Sequence, residues 1–427
     1  MTKLLILNTG VGSNLGDRAM LINVVREIRA AQPSWRMMVS ARTPRFVLEE
    51  FALDPVTFLY DCLDRGHQVQ RMLHLPRLIG DLMQGCADLV STLAIAMALL
   101  VCIVSGKRPS GRYMEADFVR SLLDADAVYF VGGGYLTDQG KRECRALLVT
   151  ALFARCLRKP IVMSGQGVGP FRSFLSRWLF KRTAEYASLI GLRDAGQGMR
   201  LLESLNVSTA RAETVADDAL TLPPAYPVAP TPRALAVHWR VSPHQAETER
   251  VQPIIEVLLD RFAEEGWTIR LFQFHERPHY EASIYARWAA TRGWPSVEIV
   301  QAADPRVLRA EIAKCSVGVG VAYHFSVFAL AADLPVIGLW HTEYYREKIE
   351  GLMTAFGHIE WAKDDRRIDV DALRSQLLKM ADAPANDEHR SRRQQLEGRH
   401  NDWMSRMLRK LDNETDAQTI GRSDTLV

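Results

Sequence analysis

Short apolar runs recur along the first half of the chain, each followed by a longer stretch whose apolar positions fall three and four apart. The runs Leu4–Asn8, Arg36–Ser40, Ala127–Val131, Pro160–Ser164, Ser188–Gly191 and Glu213–Ala216 read as buried strands. The stretches Gly16–Ala31, Gln139–Cys156, Phe171–Tyr186 and Asp194–Leu205 read as helices. Such alternation predicts a parallel, doubly wound α/β sheet. Residues 61–110 break the rhythm and read as a mostly helical insertion. The segment Pro223–Pro232 is rich in proline, which makes it a semi-rigid linker unable to sit inside a sheet. Alternation then restarts at Ala234–Val237, Thr268–Gln273, Val297–Val300, Ser316–Val321 and Pro335–Leu339. The pattern thus predicts two Rossmann-like domains, 1–225 and 233–384, followed by a polar segment, 385–427. Within that segment Glu388–Leu411 is expected to be a surface helix and Asp412–Val427 a disordered tail.

Two α/β domains joined by a hinge make the architecture of GT-B-type transferases, which close on substrates held in the cleft. One element needs separate treatment. The run Leu89–Val104 carries no charge over sixteen residues and is followed by Lys107, Arg108 and Arg112. That length falls short of the ~20 residues a spanning helix needs. The strands near Val39 and Val128 are expected in one sheet, and a span between them would put half of that sheet across a bilayer. A transmembrane helix is excluded on that ground. A helix buried in the core is the plainer expectation; a helix lying against a membrane surface is the alternative.

Composition narrows the partners. A chain of 427 residues exceeds a comfortable single core, in keeping with two domains. Its formal net charge of +3, without a basic stripe interleaved with aromatics, argues against a nucleic-acid partner. The cysteines Cys62, Cys86, Cys102, Cys144, Cys156 and Cys315 show no paired spacing. Several lie in apolar helical or strand patterns, which suits reduced, buried thiols in a cytoplasmic protein rather than a disulfide framework or a zinc site. The opening Met1–Asn8 is patterned as a strand and not as a signal peptide. The expected location is therefore cytoplasmic, with peripheral contact at the inner face of the cell membrane as the alternative.

Three glycine-rich segments punctuate strand ends: Gly10–Asp17, Gly132-Gly133-Gly134-Tyr135-Leu136-Thr137-Asp138, and Gly165-Gln166-Gly167-Val168-Gly169-Pro170. Glycine permits close backbone approach, so main-chain N–H groups can meet an anion. In an open α/β sheet the crevice beyond the strand carboxyl ends is the usual ligand site. Three such turns in one half of the chain point to one shared site.

Taken in order, these motifs resemble the polysaccharide pyruvyl transferase family from the first strand to about residue 340. The family's opening pattern matches Asn8 to Asp17, its triple-glycine loop Gly132 to Asp138, and its most specific motif Gly165 to Pro170. An Arg-Asp pair opening a helix matches Arg193-Asp194, and the next element reads Ala216-Asp217-Asp218-Ala219-Leu220, without the usual proline. In the second domain the strand, histidine and apolar helix match Tyr323-His324-Phe325-Ser326-Val327. The resemblance implies transfer of the enolpyruvyl unit of phosphoenolpyruvate to a sugar hydroxyl as a ketal, on a GT-B-like fold. It implies phosphoenolpyruvate as co-substrate with no separate cofactor and no obligatory metal. The acceptor would be a sugar or a lipid-linked oligosaccharide in cell-surface polysaccharide biosynthesis. One position departs: the family's Arg-x-His is Ala322-Tyr323-His324 here. Arg240 matches the other common arginine. Either a nearby cation such as Arg277 or Lys348 substitutes, or the donor or the activity has changed.

Ketal formation requires protonation of the vinyl carbon, a base for the sugar hydroxyl, and cations for phosphate and carboxylate. His324, at a strand end opening a helix, suits general acid or base work; a core histidine satisfied by backbone is the bland alternative. Arg240 suits an anion clamp, against a plain interdomain salt bridge. Asp17 either favours a helix N-terminus or binds an acceptor hydroxyl or acts as base. Asp138 either caps the following helix or meets the acceptor. Gln166 is a candidate amide donor to sugar or donor, and Gly16, Gly132, Gly133, Gly134 and Gly167 are candidate loop positions. His275 and Ser326 complete the candidate donor site. Arg193-Asp194 reads as a turn-building ion pair. His238, His244, His275 and His341 lie near strand ends without metal-ligand spacing, so no metal is placed. Two other readings stay open: a GT-B glycosyltransferase using a nucleotide sugar, although no clear acidic ribose-binding site stands in the second half, and a sugar-binding homologue that has lost catalysis.

Overall fold

The structure, a computed structural model, describes residues 2–7, 14–40, 44–53, 55–57, 59, 77–109, 114–194, 196–240, 248–276, 281–383 and 387–423. Residues 8–13 of the first glycine turn, Cys62, Arg112, His244, Arg277 and the 61–76 part of the insertion lie outside the described residues.

The N-terminal sheet contains β1 (Lys3–Leu7), β2 (Arg36–Ser40), β3 (Pro55–Val56), β4 (Ala127–Phe130), β5 (Gly133–Leu136), β6 (Ile161–Val168), β7 (Leu189–Leu192) and β8 (Ala212–Thr214). Its order is β3-β2-β1-β4-β6-β7-β8, with β5 beside β6 and every pairing parallel. The second sheet contains β9 (Ala234–His238), β10 (Thr268–Phe272), β11 (Val297–Val300), β12 (Val317–Gly320), β13 (Val336–Trp340) and β14 (Ala362–Asp364). Its order is β11-β10-β9-β12-β13-β14, also parallel. The sheets explain the continuous apolar runs: a parallel strand covered on both faces has no polar side. Leu4 and Ile6 of β1 join one core cluster while Leu5 and Leu7 join the other.

Chain order reverses between β1 and β4 in the first sheet and between β9 and β12 in the second. These switch points leave crevices at the strand carboxyl ends, where flanking connections depart in opposite directions. The two domains meet there. Leu15 N–H donates to the Phe274 carbonyl at 3.0 Å, Arg18 pairs with Glu276, and Arg306 reaches Glu50 at 3.0 Å. The proline-rich linker is fastened rather than loose: Ala225 N–H donates to the Arg306 carbonyl at 3.0 Å and Thr231 N–H to the Lys314 carbonyl at 2.6 Å.

Three expectations need correction. First, Gly165–Val168 is not a turn after a strand but the continuation of β6, with a register irregularity between Met163 and Gln166. Glycines at that point let Asp218 and Arg193 pack against the strand, where a Cβ on Gly165 or Gly167 would stand about 3 Å from them. Second, the apolar run belongs to a helix, Arg77–Ser105, that is not buried in the core. Ser91, Ile95, Leu99 and Cys102 pack inward, while Leu89, Val90, Leu93, Met97, Leu100, Val101, Ile103 and Val104 face out.

Third, the C-terminal segment is one helix, Asp387–Ser423, extending through most of the expected tail. Leu396, Trp403, Met404, Met407, Leu408 and Leu411 are buried, and the helix returns to the first domain. His400 bonds Glu27 at 2.9 Å, and Trp403 Nε1–H donates to Ser164 Oγ at 3.0 Å. An apolar stripe at three- and four-residue spacing is hidden there among many charges. Trp403 is fully buried, so removing its side chain should cost about 3–5 kcal/mol. Of the described cysteines, Cys102, Cys144 and Cys315 are buried, in keeping with the apolar patterns around several of them, while Cys86 and Cys156 are exposed.

Candidate functional site

The switch points of the two sheets bring their loops into one cavity of about 220 Å³ between the domains. After β1 the chain re-enters at Asn14, whose side-chain oxygen accepts from Gly16 N–H at 2.9 Å and caps the helix Leu15–Ala31. Asp17, in the first turn of that helix, faces the cavity. The connection after β12 supplies Ala322, Tyr323 and His324, the last two opening the helix Tyr323–Ala331. The two helix starts touch. A Cβ on Gly16 would lie 2.1 Å from His324 Nδ1, so only glycine lets the imidazole sit there.

Three cations enter the same space. Arg193, after β7, donates to Asp217 Oδ2 at 2.7 Å and lies 4.1 Å from the ring centre of Tyr323. Asp217 in turn accepts from Ala219 N–H at 2.9 Å. Lys348, on the helix Glu343–Ala355 after β13, bonds the Tyr344 hydroxyl, which donates to the Gly134 carbonyl at 2.6 Å. A Cβ on Gly134 would fall 2.2 Å from Lys348 Nζ, so a larger residue there would displace the end of that lysine. Arg240, beyond β9, lies 2.6 Å from His275 Nε2. A guanidinium only donates, so the imidazole nitrogen accepts. His275 N–H donates to Glu281 at 2.8 Å, and Glu281 also bonds His238 at 3.0 Å, so His275 holds Arg240 from behind. Asn14, Tyr135, Phe274 and Tyr345 complete the wall.

Electrostatics follow from this crowding. Burial, with Arg193, Lys348 and Arg240 nearby, pushes His324 down to about 4 despite Asp217. Its Nε2 stands 3.8 Å from Asp217 Oδ2, beyond hydrogen-bond reach, and has no hydrogen-bond partner among the described residues. Asp17 moves the other way: burial raises its carboxyl to about 6, with Lys348, Arg193 and Arg240 opposing and Asp217 adding. Lys348 is held well below the usual ammonium range, first by burial and then by Arg193. Asp217 lies below its ordinary value because His324 and Arg193 outweigh the opposing effect of burial. The cavity therefore holds a neutral histidine, a carboxyl poised near neutral pH and an excess of cationic groups.

The site residues read from sequence divide into those on the cavity and those behind it. Asp17, Gly134, Arg240 and His324 line it, and His275 and Gly16 position two of them. Gln166 does not offer its amide to a ligand: Nε2–H donates to the carbonyls of Ser164 at 2.7 Å and Val131 at 2.9 Å, and the residue is fully buried. Asp138 neither lines the cavity nor caps the next helix; it accepts from the backbone of Arg172 at 2.5 Å and Ser173 at 2.6 Å. Ser326 lies inside its helix, fully buried and away from the cavity wall. Gly132 donates its N–H to Asp218 at 2.7 Å, Gly133 opens β5, and Gly167 backs Arg193. Arg193 does not pair with Asp194, which instead accepts from Gly198 N–H at 3.0 Å. The sequence motifs assign no role to Asp217, Tyr344 or Tyr345. The doubled aspartate after an apolar stretch, and Tyr344-Tyr345 followed by Lys348 one helical turn on, were the available signals. Among the described residues no cluster of His, Cys, Asp and Glu is arranged to hold a metal ion.

The family profile described as polysaccharide pyruvyl transferase matches residues 14–343. A search of curated protein sequences finds no match to this chain. Among solved structures, UDP-GlcNAc 2-epimerase from Neisseria meningitidis, bound to UDP-GlcNAc, is similar with a TM-score of 0.55 and 11% identity, over 96% of this chain and 100% of that one. The epimerase from Methanocaldococcus jannaschii gives 0.54 and 12%, over 91% and 94%. A glycosyltransferase from Rickettsia africae gives 0.55 and 7%, over 97% and 98%. At such identities the likeness establishes the fold, a GT-B-like pair of Rossmann-like domains, and nothing finer.

Proposed function

The chain belongs to the polysaccharide pyruvyl transferase family, and from that premise we propose that its interdomain cavity transfers the enolpyruvyl unit of phosphoenolpyruvate to a sugar as a ketal. One observation carries the proposal. Arg193, Arg240 and Lys348 converge on a cavity that also holds His324 and Asp17, an arrangement suited to a small, highly charged anion undergoing proton transfer. Ala322, standing where the family has arginine, lines that cavity, and Lys348 and Arg193 supply positive charge beside it.

In this reading the donor's phosphate and carboxylate take the three cations. Their negative charge offsets the fields that depress His324, so its proton affinity rises on binding and Nε2–H becomes the acid. One acceptor hydroxyl adds to the central carbon of the enol, giving its proton to Asp17, while His324 protonates the methylene carbon. The carbon–oxygen bond to phosphate then breaks, leaving an oxocarbenium ion. A second hydroxyl of the same sugar adds, its proton leaves with the phosphate, and the products are the ketal and inorganic phosphate. The walls formed by Tyr323, Tyr344 and Tyr345 limit water, which would otherwise compete with the sugar. The acceptor is a sugar or lipid-linked oligosaccharide bearing two hydroxyls close enough to bridge one carbon.

The test incubates the protein with phosphoenolpyruvate and a set of diol-bearing sugars, following phosphate release and the ketal carbon by NMR. Acceptor-dependent phosphate with a matching ketal signal supports the reading. Failure to bind phosphoenolpyruvate at all contradicts it.

A further inference from the structure

The helix Arg77–Ser105 contains an apolar stretch, Gly85–Ser105, of which only 22% is buried inside the protein over its most apolar window. At about 3.6 residues per turn, the inward positions Ser91, Ile95, Leu99 and Cys102 fall on one face. Leu93, Met97, Leu100 and Val104 share the opposite face, the last of them 79% exposed. A patch of this kind on a folded domain marks an interaction surface.

A second helix extends it. In Phe174–Tyr186 the residues Phe174, Leu175 and Trp178 are exposed, Phe174 by 83%. The two helices are tied to the same intervening helix, Lys141–Cys156. Arg142 of that helix pairs with Asp88 at 3.3 Å, and Arg145 one turn on donates to Ser173 Oγ at 3.2 Å. The apolar stripe and the aromatic patch therefore lie on one side of the first domain. Cations flank both. Lys107 and Arg108, the latter half-exposed and paired with Asp124, follow the long helix, and the Arg182 guanidinium lies 5.9 Å from the Trp178 ring centre.

We infer that this side of the N-terminal domain docks in the plane of a bilayer carrying anionic lipids. Aliphatic side chains enter the acyl boundary, Trp178 sits at the headgroup level, and the flanking lysine and arginines meet lipid phosphates. The charges select this occupant over a second copy of the chain, because a twofold pairing of the face would bring like charges together. Topology disfavours a span. The sheet strands β1 and β4 precede and follow the helix yet pair with each other, and its inward face is packed against their domain. The inference does not depend on the transferase reading, and its test uses no substrate.

Flotation of the full chain with phosphatidylcholine vesicles containing one-third phosphatidylglycerol is compared with flotation on phosphatidylcholine alone. The expected result is co-flotation at least tenfold greater on the anionic vesicles. Binding should fall at least tenfold in a Leu93→Glu/Met97→Glu variant and severalfold in Trp178→Ala. Thermal melting confirms folding, which is expected because both glutamates replace exposed side chains. Trp178 fluorescence should also be quenched by brominated lipid. Failure of the wild type to bind anionic vesicles overturns the inference, as does equal binding by the glutamate variant. A lipid-independent dimer dispersed by the same variant would assign the face to a second copy, and resistance to alkaline carbonate extraction would assign the helix to a span.

Discussion

Replacing Gly16 with alanine probes the contact on which the catalytic arrangement depends. The added methyl would lie 2.1 Å from His324 Nδ1, 2.2 Å from its Cγ and 2.6 Å from its Cβ, about 1.3 Å short of an ordinary 3.4 Å contact. Because the histidine Cβ is itself too close, rotating the ring does not relieve the clash. Nor does the helix start retreat easily, since Leu15 N–H is bound to the Phe274 carbonyl at 3.0 Å and Asn14 caps Gly16 at 2.9 Å. The imidazole must therefore move by about 1 Å, which costs on the order of 10²-fold in rate when a reacting group is displaced. The upper bound is the full contribution of a general acid, about 10²–10⁴-fold. The assay is acceptor-dependent phosphate release from phosphoenolpyruvate, with thermal melting as the control for folding. In the Gly16→Ala background, His324→Ala should cost little more, because both changes remove the same function. A folded Gly16→Ala protein within twofold of wild-type turnover would refute the placement of His324 at the reacting centre.

Three further outcomes follow from the same geometry. Arg240→Ala should weaken phosphoenolpyruvate about 10- to 150-fold in calorimetric titration, the equivalent of ~1.5–3 kcal/mol for a lost charge-assisted bond, whereas Ala322→Arg should tighten it; unchanged affinity in both would remove the donor from this cavity. Phosphoenolpyruvate should bind more tightly as pH falls from about 8 to 6.5, staying above the phosphate's own second ionisation near ~6. An incoming anion raises the proton affinity of His324, held at about 4, and of Lys348, held low. Affinity that is flat or improves toward high pH would show these groups to lie elsewhere. Finally, Asp17→Asn should stabilise the fold at pH 7.5 and make little difference at pH 4. The carboxyl is raised from 3.8 to about 6 in the folded protein, so the wild type keeps the associated stability below the lower value and loses it as pH rises through the upper. Raising the carboxyl from 3.8 to about 6 corresponds to about 3 kcal/mol, and solvent in the cavity reduces it; equal melting temperatures at pH 7.5 would contradict the placement of this carboxyl.

The fold was legible because its strands are covered on both faces: Leu4–Leu7 and Ala127–Phe130 have no polar positions to obscure them. β5 and β14 were not, since Gly133-Gly134 and Ala362-Lys363-Asp364 carry no strand pattern of their own and pair only because a neighbour is in place. Gly165–Val168 misled for a related reason. Glycine commonly marks a turn, but here it makes room beside β6 for Asp218 and Arg193. The C-terminal helix was obscured by its composition, in which Trp403, Met407 and Leu411 are spaced among arginines and glutamates. Within the site, His324, Asp17 and Arg240 stand out because strand ends and helix starts can be read along one chain. Arg193 and Asp217, 24 residues apart, meet Tyr344 and Lys348 only through packing between segments more than a hundred residues distant, and local spacing does not record that meeting.

The central claim is that the cavity bounded by Asp17, Arg193, Arg240, His324 and Lys348 takes phosphoenolpyruvate. Its most direct test is a calorimetric titration of the wild type and of Arg240→Ala, with phosphoenolpyruvate and a uridine diphosphate sugar run side by side. The account predicts saturable binding of phosphoenolpyruvate with proton uptake, lost or strongly weakened in the variant, and no comparable binding of the nucleotide sugar at this site. Tight binding of the nucleotide sugar, with phosphoenolpyruvate neither bound nor competing, would contradict it.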